Sequence, residues 1–349
     1  MIKTYLWVLY TSIITTCLLS SCNQQKSTST GIASPEDTLV QIPNEWIEKL
    51  KNPQSPAHEL INEFEALLYP EQKDNLVKKR STDDLLLKPT FINVDESPEK
   101  ELLLWIGHAQ ISEFAIIKKI KDKWRLLYSK EHHTLWVAPT LRIGDSLSTS
   151  TPKVFYVAHL YGRGSGFGWG KWHFYRVENN QVINGLKAIS GAVDAFGHYV
   201  STDVHTKVQI KDANHLNILY DYKFTFRAHN DLEEDYLCKN DSTLMWVPFI
   251  QGTINLHYVW NSSTKKYQVA DKALQTKEKF MNESGSLSEF YEAFRPEIKQ
   301  STHPNRNKII EVFEKVIAAE QKDTTPHKKV VSVFFGYNGP SYYETRAKK

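Results

Sequence analysis

The chain has 349 residues and an almost balanced charge, with 43 Lys and Arg against 40 Asp and Glu and a formal net charge of +3. This balance excludes a general electrostatic affinity for nucleic acid. Nine tryptophans, 17 tyrosines and 16 phenylalanines are many for this length. Because aromatic side chains favour strands and bury large areas, the composition predicts a folded protein with a sizeable, strand-rich core.

The first 22 residues predict export. Lys3 gives a short positive start, an apolar run extends from Tyr5 to Leu19, and the segment ends on Leu19-Ser20-Ser21-Cys22. A positive start, an apolar stretch and small residues before a cleavage site are typical of a secretory signal peptide. The four-residue ending resembles the lipobox of bacterial lipoproteins. The resemblance implies that residues 1–21 are a signal peptide and that Cys22 becomes the lipidated N-terminus.

The same resemblance implies a cell-envelope location, with attachment to a membrane through the N-terminal acyl chains. Several acyl chains on one cysteine give lasting attachment where one does not. In enterobacterial lipoproteins an Asp after the cysteine favours the inner membrane, so Asn23 indicates the outer membrane. The alternative is an uncleaved transmembrane helix, which needs about 20 apolar residues, more than this run provides. Residues 22–40 are rich in Ser, Thr and Gln, which predicts a flexible tether.

Residues 41–85 are predicted to be a helical segment. A short helix is expected over Glu45 to Leu50. A second helix with a clearer start signal is expected to begin at Ser55-Pro56, with Ser at the N-cap. The second helix is amphipathic because one face carries Leu60, Ile61, Phe64, Leu67 and Leu68. A third, charged helix is expected over Glu71 to Arg80.

Residues 86–270 change to a strand-like pattern and predict an antiparallel β body. Three hairpins with short polar turns are expected over Phe114 to Leu127, Trp172 to Leu186 and Leu256 to Ala270. Further strands are expected over Phe91–Val94, Leu102–Ile106, Val154–Tyr161, Leu216–Phe226 and Leu244–Ile250. The hairpins recur at irregular spacing, which is not typical of a fixed-period repeat.

Residues 271–349 return to a helical pattern. Helices are expected over Asp271–Met281, Leu287–Phe294 and Arg306–Ala319, followed by a strand-like run at Lys329–Phe335 and a basic tail. The fold class is therefore α+β, mainly β, with antiparallel hairpins and meanders flanked by N- and C-terminal helices. Both a sandwich-like and a degenerate propeller-like arrangement of the strands remain open.

An acidic stretch between two predicted strands suggests a metal site. Asn93, Asp95, Glu99 and Glu101 alternate along it, and calcium prefers six to eight oxygen ligands. The order of apolar strand, acidic loop and second strand is similar to the calcium loops of FG-GAP repeats, which implies calcium as the ion. The pattern lacks the loop glycine and contains Pro98. The alternative is a solvated acidic turn.

The glycine-rich stretch Gly162–Gly170 has the most unusual composition in the chain. Aromatic residues flank it, and their flat faces could bind a ligand such as a sugar ring; they are Tyr161, Phe167, Trp169 and Trp172. The alternative is a flexible hairpin tip that needs positive φ angles. The stretch lacks the Lys-Ser or Lys-Thr of a phosphate-binding loop.

Other chemically suggestive residues give weaker signals. His132-His133 could act in a metal or acid–base site, and His58-Glu59 begins an incomplete zinc-protease motif with Asn62 in place of the second histidine. Cys238 is the only cysteine left after removal of the signal peptide and acylation of Cys22, so the mature chain cannot form an internal disulfide. Two catalytic carboxylates could lie in the acidic cluster Asp231–Asp241.

Two functional hypotheses follow. The leading one is a lipid-anchored envelope protein without catalytic activity, a binding or structural module whose partner is an envelope protein or a glycan. The alternative is a lipid-anchored hydrolase that acts on glycan or peptide, with residues drawn from separate loops. The sequence assigns no catalytic residue and no cofactor beyond the calcium suggested by the acidic loop.

Overall fold

The computed structural model describes residues 39–52, 54–70, 85–95, 97–108, 111–133, 141–143, 154–164, 167–193, 199–227, 247–282 and 286–322. The described residues from Val40 onward belong to one compact unit. The predictions for residues 1–38, including the signal peptide, Cys22 and most of the tether, lie outside the described residues. So do those for Glu71–Arg80, Asp231–Asp241 with Cys238, and Lys329–Phe335.

Two open antiparallel sheets form the body. The first has five strands in the order β1-β5-β4-β3-β2: β1 (Gln41–Ile42), β2 (Leu85–Ile92), β3 (Glu101–His108), β4 (Ile111–Ile120) and β5 (Lys123–His133). The second has eight strands, in sequence order across the sheet: β6 (Leu141–Ile143), β7 (Phe155–Gly164), β8 (Phe167–Glu178), β9 (Gln181–Val193), β10 (Tyr199–Ile210), β11 (His215–Arg227), β12 (Pro248–Asn261) and β13 (Lys266–Val269). The prediction of a mainly β, meandering α+β fold is confirmed, and the packed sheets match its sandwich-like form.

Helices lie at both ends of the described chain. Two precede β2: α1 (Asn44–Lys51) and α2 (Ala57–Leu68). A 3-10 turn (Lys272–Leu274) and four helices follow β13: α3 (Gln275–Asn282), α4 (Leu287–Ala293), α5 (Arg295–Gln300) and α6 (Arg306–Lys322). The expected N-cap at Ser55 is wrong, because Pro56 occupies the cap and no side chain bonds the first turn.

The first sheet is buried on both faces, because β3 is apolar without interruption from Leu102 to Ile106 and successive side chains point to opposite faces. Leu102, Leu104 and Ile106 of β3 pack against α1 and α2, where Trp46 donates from Nε1 to the Leu60 carbonyl at 3.0 Å. The intervening residues of β3 and β4 face the second sheet. Among them, Trp105 and Phe114 pack against Phe155 and Tyr175 of the second sheet. Together with their aliphatic neighbours these four residues form an aromatic intersheet core.

The second sheet uses one face of β10–β12 to carry the C-terminal helices. Phe224 of β11 contacts Phe290 of α4 and Phe294, with ring centroids 5.1 and 5.3 Å apart. Gly252 of β12 lies directly beneath Tyr222, where an added Cβ would meet the phenol oxygen at 2.9 Å. The opposite face of these strands carries polar residues such as Asn217 and Lys223 and is open to solvent.

Several sequence predictions need correction. The strand β10 was not anticipated, because Asp203, His205 and Lys207 on its outer face dilute the apolar signal of Val200 and Val204. The strand expected over Leu244–Ile250 and the first strand of the hairpin expected over Leu256 to Ala270 are, from Pro248 onward, the single strand β12. The helix α5 was also missed, since Pro296 lies in its first turn.

The helix α3 is attached to the sheet by a buried hydrogen-bond network centred on Asn282. The Tyr220 hydroxyl donates to Asn282 Oδ1 at 2.6 Å, and Asn282 Nδ2 donates to the Tyr258 hydroxyl at 2.6 Å. Both tyrosines are fully buried. One amide side chain therefore satisfies two phenols that water cannot reach.

We expect Asn282→Ala to lower the free energy of unfolding by about 2 to 4 kcal/mol, because two buried hydroxyls each lose a hydrogen bond and a small cavity forms. Urea unfolding of the purified chain measures this. Asn255→Ala, at an exposed position of β12, is the matched control and should change stability by less than about 0.5 kcal/mol. Equal effects of the two substitutions would contradict the network.

Candidate functional site

The main candidate site is a pocket where the two sheets meet, here called the seam pocket. Its volume is about 390 Å³. One wall comes from the first sheet, through the β2–β3 loop and β4, and the other from the end of β8 and the β8–β9 turn. The lining residues are Asp95, Ser97, Lys118, Arg176, Val177, Glu178, Asn179 and Asn180.

The β2–β3 loop is shaped by its own side chains. Asp95 Oδ1 accepts from the backbone N–H of Ser97 at 2.7 Å, and Glu101 Oε2 accepts from the N–H of Val94 at 2.8 Å. The side-chain amide of Asn93 donates to the Ser97 carbonyl. These local bonds close a compact turn between β2 and β3, as Asx-type turns do.

A lysine neutralises this loop. The Lys118 ammonium of β4 forms an ion pair with Asp95, and both side chains are about nine-tenths buried, with 12% and 9% exposed. Burial raises the pKa of Asp95, but the hydrogen bonds from Lys118 and Ser97 outweigh burial and leave that pKa below its usual range. Burial and the nearby Asp95 charge raise the pKa of Glu101.

The residues of the predicted calcium site are thus only partly brought together. Asp95 and Glu101 belong to the same hydrogen-bonded loop, whereas Glu99 points toward Lys119, with its Oε1 3.7 Å from Nζ. Among the described residues no group of three or more His, Cys, Asp or Glu is arranged around a common metal position. The calcium site stays a prediction, and Lys118 supplies a positive charge beside Asp95.

The opposite wall is a tight turn held by a second ion-pair group. Asn179 and Asn180 have φ angles of 51° and 60°, the left-handed conformation of a two-residue hairpin turn. Glu178 accepts from Arg176 Nη2 at 3.1 Å and from Lys265 Nζ at 2.5 Å. The sequence predicts a short polar turn within the hairpin Trp172 to Leu186, but not that this turn lines a pocket.

Arg176 fixes this wall in place. Its Nη1 donates to the Ala213 carbonyl at 2.9 Å and to Asn214 Oδ1 at 3.1 Å, in the β10–β11 turn. Its guanidinium lies 4.3 Å from the centroid of the Trp260 ring. Arginine presents both a planar stacking face and several donors, so one buried side chain connects three hairpins. The second wall is therefore preorganised.

Of the aromatic residues of the predicted sugar-binding hairpin, the two with described side chains, Trp169 and Trp172, pack within the fold. Trp169 is only 5% exposed and belongs to the core, with the Lys171 ammonium 5.2 Å from its ring centroid. Trp172 is partly buried and packs edge-on against Tyr156, with ring centroids 5.0 Å apart. Tyr161 and Phe167 lie in β7 and β8, but their side chains are outside the described residues.

The two histidine-containing motifs of the sequence lie on α2 and at the end of the β4–β5 ladder. His58, Glu59 and Asn62 lie on the exposed side of α2. His132 and His133 pair with Ser112 and Ile111 at the end of the β4–β5 ladder. Their side chains are outside the described residues, so an acid–base or metal role for them stays a prediction.

A second cluster, missed in the sequence, lies where α2 meets the first sheet. Glu113 of β4 stands directly opposite Glu131 of β5, accepts a hydrogen bond from Ser129, and its Oε2 accepts from the Tyr69 hydroxyl at 3.4 Å. Burial, followed by the charge of Glu131, raises the pKa of Glu113 to about 7. The sequence did not indicate this pair, because carboxylates that face each other across two strands have no distinctive spacing. The register of β4 with β5 shows that they are opposite each other.

Lys118→Met should lower the free energy of unfolding by about 2 to 4 kcal/mol, because Asp95 would be left as an unpaired, largely buried charge. Chemical denaturation measures the loss. Lys119→Met, the neighbouring and more exposed lysine (33% exposed), should cost less than about 0.5 kcal/mol. Similar values for both would show that the Lys118–Asp95 pair does not hold the loop.

The pKa of Glu113 predicts a pH dependence of stability. The folded chain binds this proton more tightly than the unfolded chain, whose Glu pKa is near 4.5. Stability therefore falls as pH rises from about 4.5 to about 7. Glu113→Gln removes this contribution and should stabilise the protein at pH 8 by about 1 to 3 kcal/mol.

Thermal or urea unfolding between pH 5 and pH 8 measures the effect of Glu113→Gln. Glu59→Gln, on the exposed side of the first turn of α2, is the control and should follow the native curve. A native-like slope in Glu113→Gln would show that another group carries the pH dependence.

Comparison with known proteins does not add to this geometry. Searches against protein-family models, curated proteins and solved structures gave no match. Within the described part of the chain, every helix is too short or too polar to cross a lipid bilayer. The function is therefore inferred from the sequence and from the residues of the site.

Proposed function

We propose that the chain is a lipid-anchored protein of the bacterial cell envelope whose β body binds another envelope component without catalysing a reaction. The lipobox-like ending at Cys22 and the polar tether after it support the anchor, and Asn23 supports the outer membrane. The seam pocket is the observation that carries the binding role. Its two walls come from different sheets, so it is a concave site made by the fold itself.

The charge pairing in the pocket supports binding over catalysis. Asp95 is held by Lys118, and Glu178 is held by Arg176 and Lys265. A general base needs an accessible lone pair and a pKa near the working pH, whereas Lys118 keeps the pKa of Asp95 low. Asp95 is therefore better suited to fixed hydrogen bonding than to proton transfer.

The pocket chemistry favours a polar ligand with both donors and acceptors. Lys118, Arg176 and the two asparagine amides supply donors, and Asp95 and Glu178 supply acceptors. Chains of hydroxyl and amide groups fit such a surface, so the partner is a surface glycan or a segment of an envelope protein. The long polar face of β10–β12 would remain accessible beside it.

A pull-down from solubilised envelopes tests the proposal. The native chain and a soluble Cys22→Ser version should both retain the same partner, because binding resides in the β body. Asn179→Gly with Asn180→Gly removes both amides while keeping the turn, since glycine accepts these φ angles. We expect this double variant to retain at least roughly tenfold less partner, as loss of about 1.4 kcal/mol would give.

Asn255→Ala, on the exposed side of β12, is the control and should retain the partner fully. Failure of both native and Cys22→Ser chains to retain any component would contradict the proposal. It would favour the alternative, a lipid-anchored hydrolase acting on glycan or peptide. Activity lost in Glu113→Gln would then identify the carboxylate pair on β4 and β5 as its centre.

A further inference from the structure

Two histidines on the open face of the second sheet lie side by side. His215 begins β11 and His257 lies in β12, where the register places Asn217 directly opposite His257. His215 is two residues from Asn217, so the two imidazoles are diagonal neighbours on one face. Their ring centroids are 6.0 Å apart and the ring planes are within 10° of parallel.

Both rings are held at the same nitrogen. Nδ1 of His215 lies 3.0 Å from each carboxylate oxygen of Asp212, and Nδ1 of His257 lies 2.6 Å from Oδ1 of Asn217. An acceptor oxygen beside Nδ1 keeps the proton on that nitrogen and leaves the lone pair on Nε2. Metal-binding histidines in proteins are oriented by the same kind of contact.

The acceptors are themselves fixed. Asp212 Oδ1 also accepts the backbone N–H groups of Asn214 and His215, at 2.7 and 2.9 Å. Asn217 uses its Nδ2 toward Gln209 Oε1 at 3.4 Å, which turns its Oδ1 toward His257. The orientation of both imidazoles is thus determined by the β10–β11 turn and by a cross-strand amide ladder.

We propose that His215 and His257 form a surface site for a divalent transition-metal ion such as Cu²⁺ or Zn²⁺, with water completing the coordination. Metal–nitrogen bonds of about 2.0 to 2.1 Å place two imidazoles on a tetrahedral ion with centroids about 5 Å apart. The observed centroids are 6.0 Å apart with nearly parallel ring planes, so binding requires about 1 Å of closure and a tilt of the rings that aims both Nε2 lone pairs at one ion. The His215 side chain is 43% exposed, so it has room to make that movement.

Copper titration of the full chain tests the site, because Cu²⁺ binds nitrogen ligands most tightly among these ions. Calorimetry should show one binding event that is lost in His215→Gln and in His257→Gln. Electron paramagnetic resonance of the native protein at one equivalent of Cu²⁺ should show coupling to nitrogen that both variants lose. Asp212→Asn should weaken binding roughly tenfold, since it removes the orienting carboxylate.

His205→Gln is the matched control. His205 is 72% exposed on the same face of the neighbouring strand and pairs with Asp203 at 3.2 Å. It should leave the copper event unchanged. The proposal is overturned if His257→Gln binds copper as the native chain does, or if His205→Gln removes the event as completely as the other two variants.

Discussion

The aromatic intersheet core is the constraint on which the candidate site depends. Phe155 and Tyr175 stack at 5.6 Å on the second sheet, and Phe114 of the first sheet packs on Tyr175 at 5.9 Å. The Tyr128 and Tyr175 hydroxyls meet at 3.3 Å across the same boundary. These large side chains hold the sheets face to face through buried apolar area. This packing brings the Asp95 loop and the β8–β9 turn together to form the pocket.

Around this core, polar residues have two distinct roles. In the seam pocket, opposite charges neutralise one another and keep two walls in a fixed arrangement; Lys118 does this for the first sheet and Arg176 for the second. On the open face of β10–β12, polar side chains such as Lys223 are exposed to solvent and can contact other molecules or ions. The Asn282 network belongs to neither group, since it stabilises the packing of α3 on the sheet.

Much of the fold could be predicted from the sequence because its strands obey period two and its turns carry the expected residues. The turns at Lys121-Asp122 and Asn179-Asn180 adopt the positive φ angles typical of tight hairpins, and the three predicted hairpins are present as β4–β5, β8–β9 and β12–β13. The pocket could not be predicted in the same way. Asp95 and Asn179 are far apart in the chain, and only the packing of one sheet on the other brings them together. Trp169 could not be assigned from sequence either, because a tryptophan beside glycines is compatible with both a ligand site and a core. Its burial places it in the core.

Whether the envelope partner binds at the seam pocket can be measured by site-specific photo-crosslinking in intact cells. A photoreactive residue at Ser97, within the pocket, is compared with one at Asn255, on the exposed side of β12. Binding at the seam pocket should give a discrete, higher-mass adduct from position 97 and none from position 255. Adducts from position 255 without any from position 97 would contradict it and would move the binding surface to the open face of the second sheet.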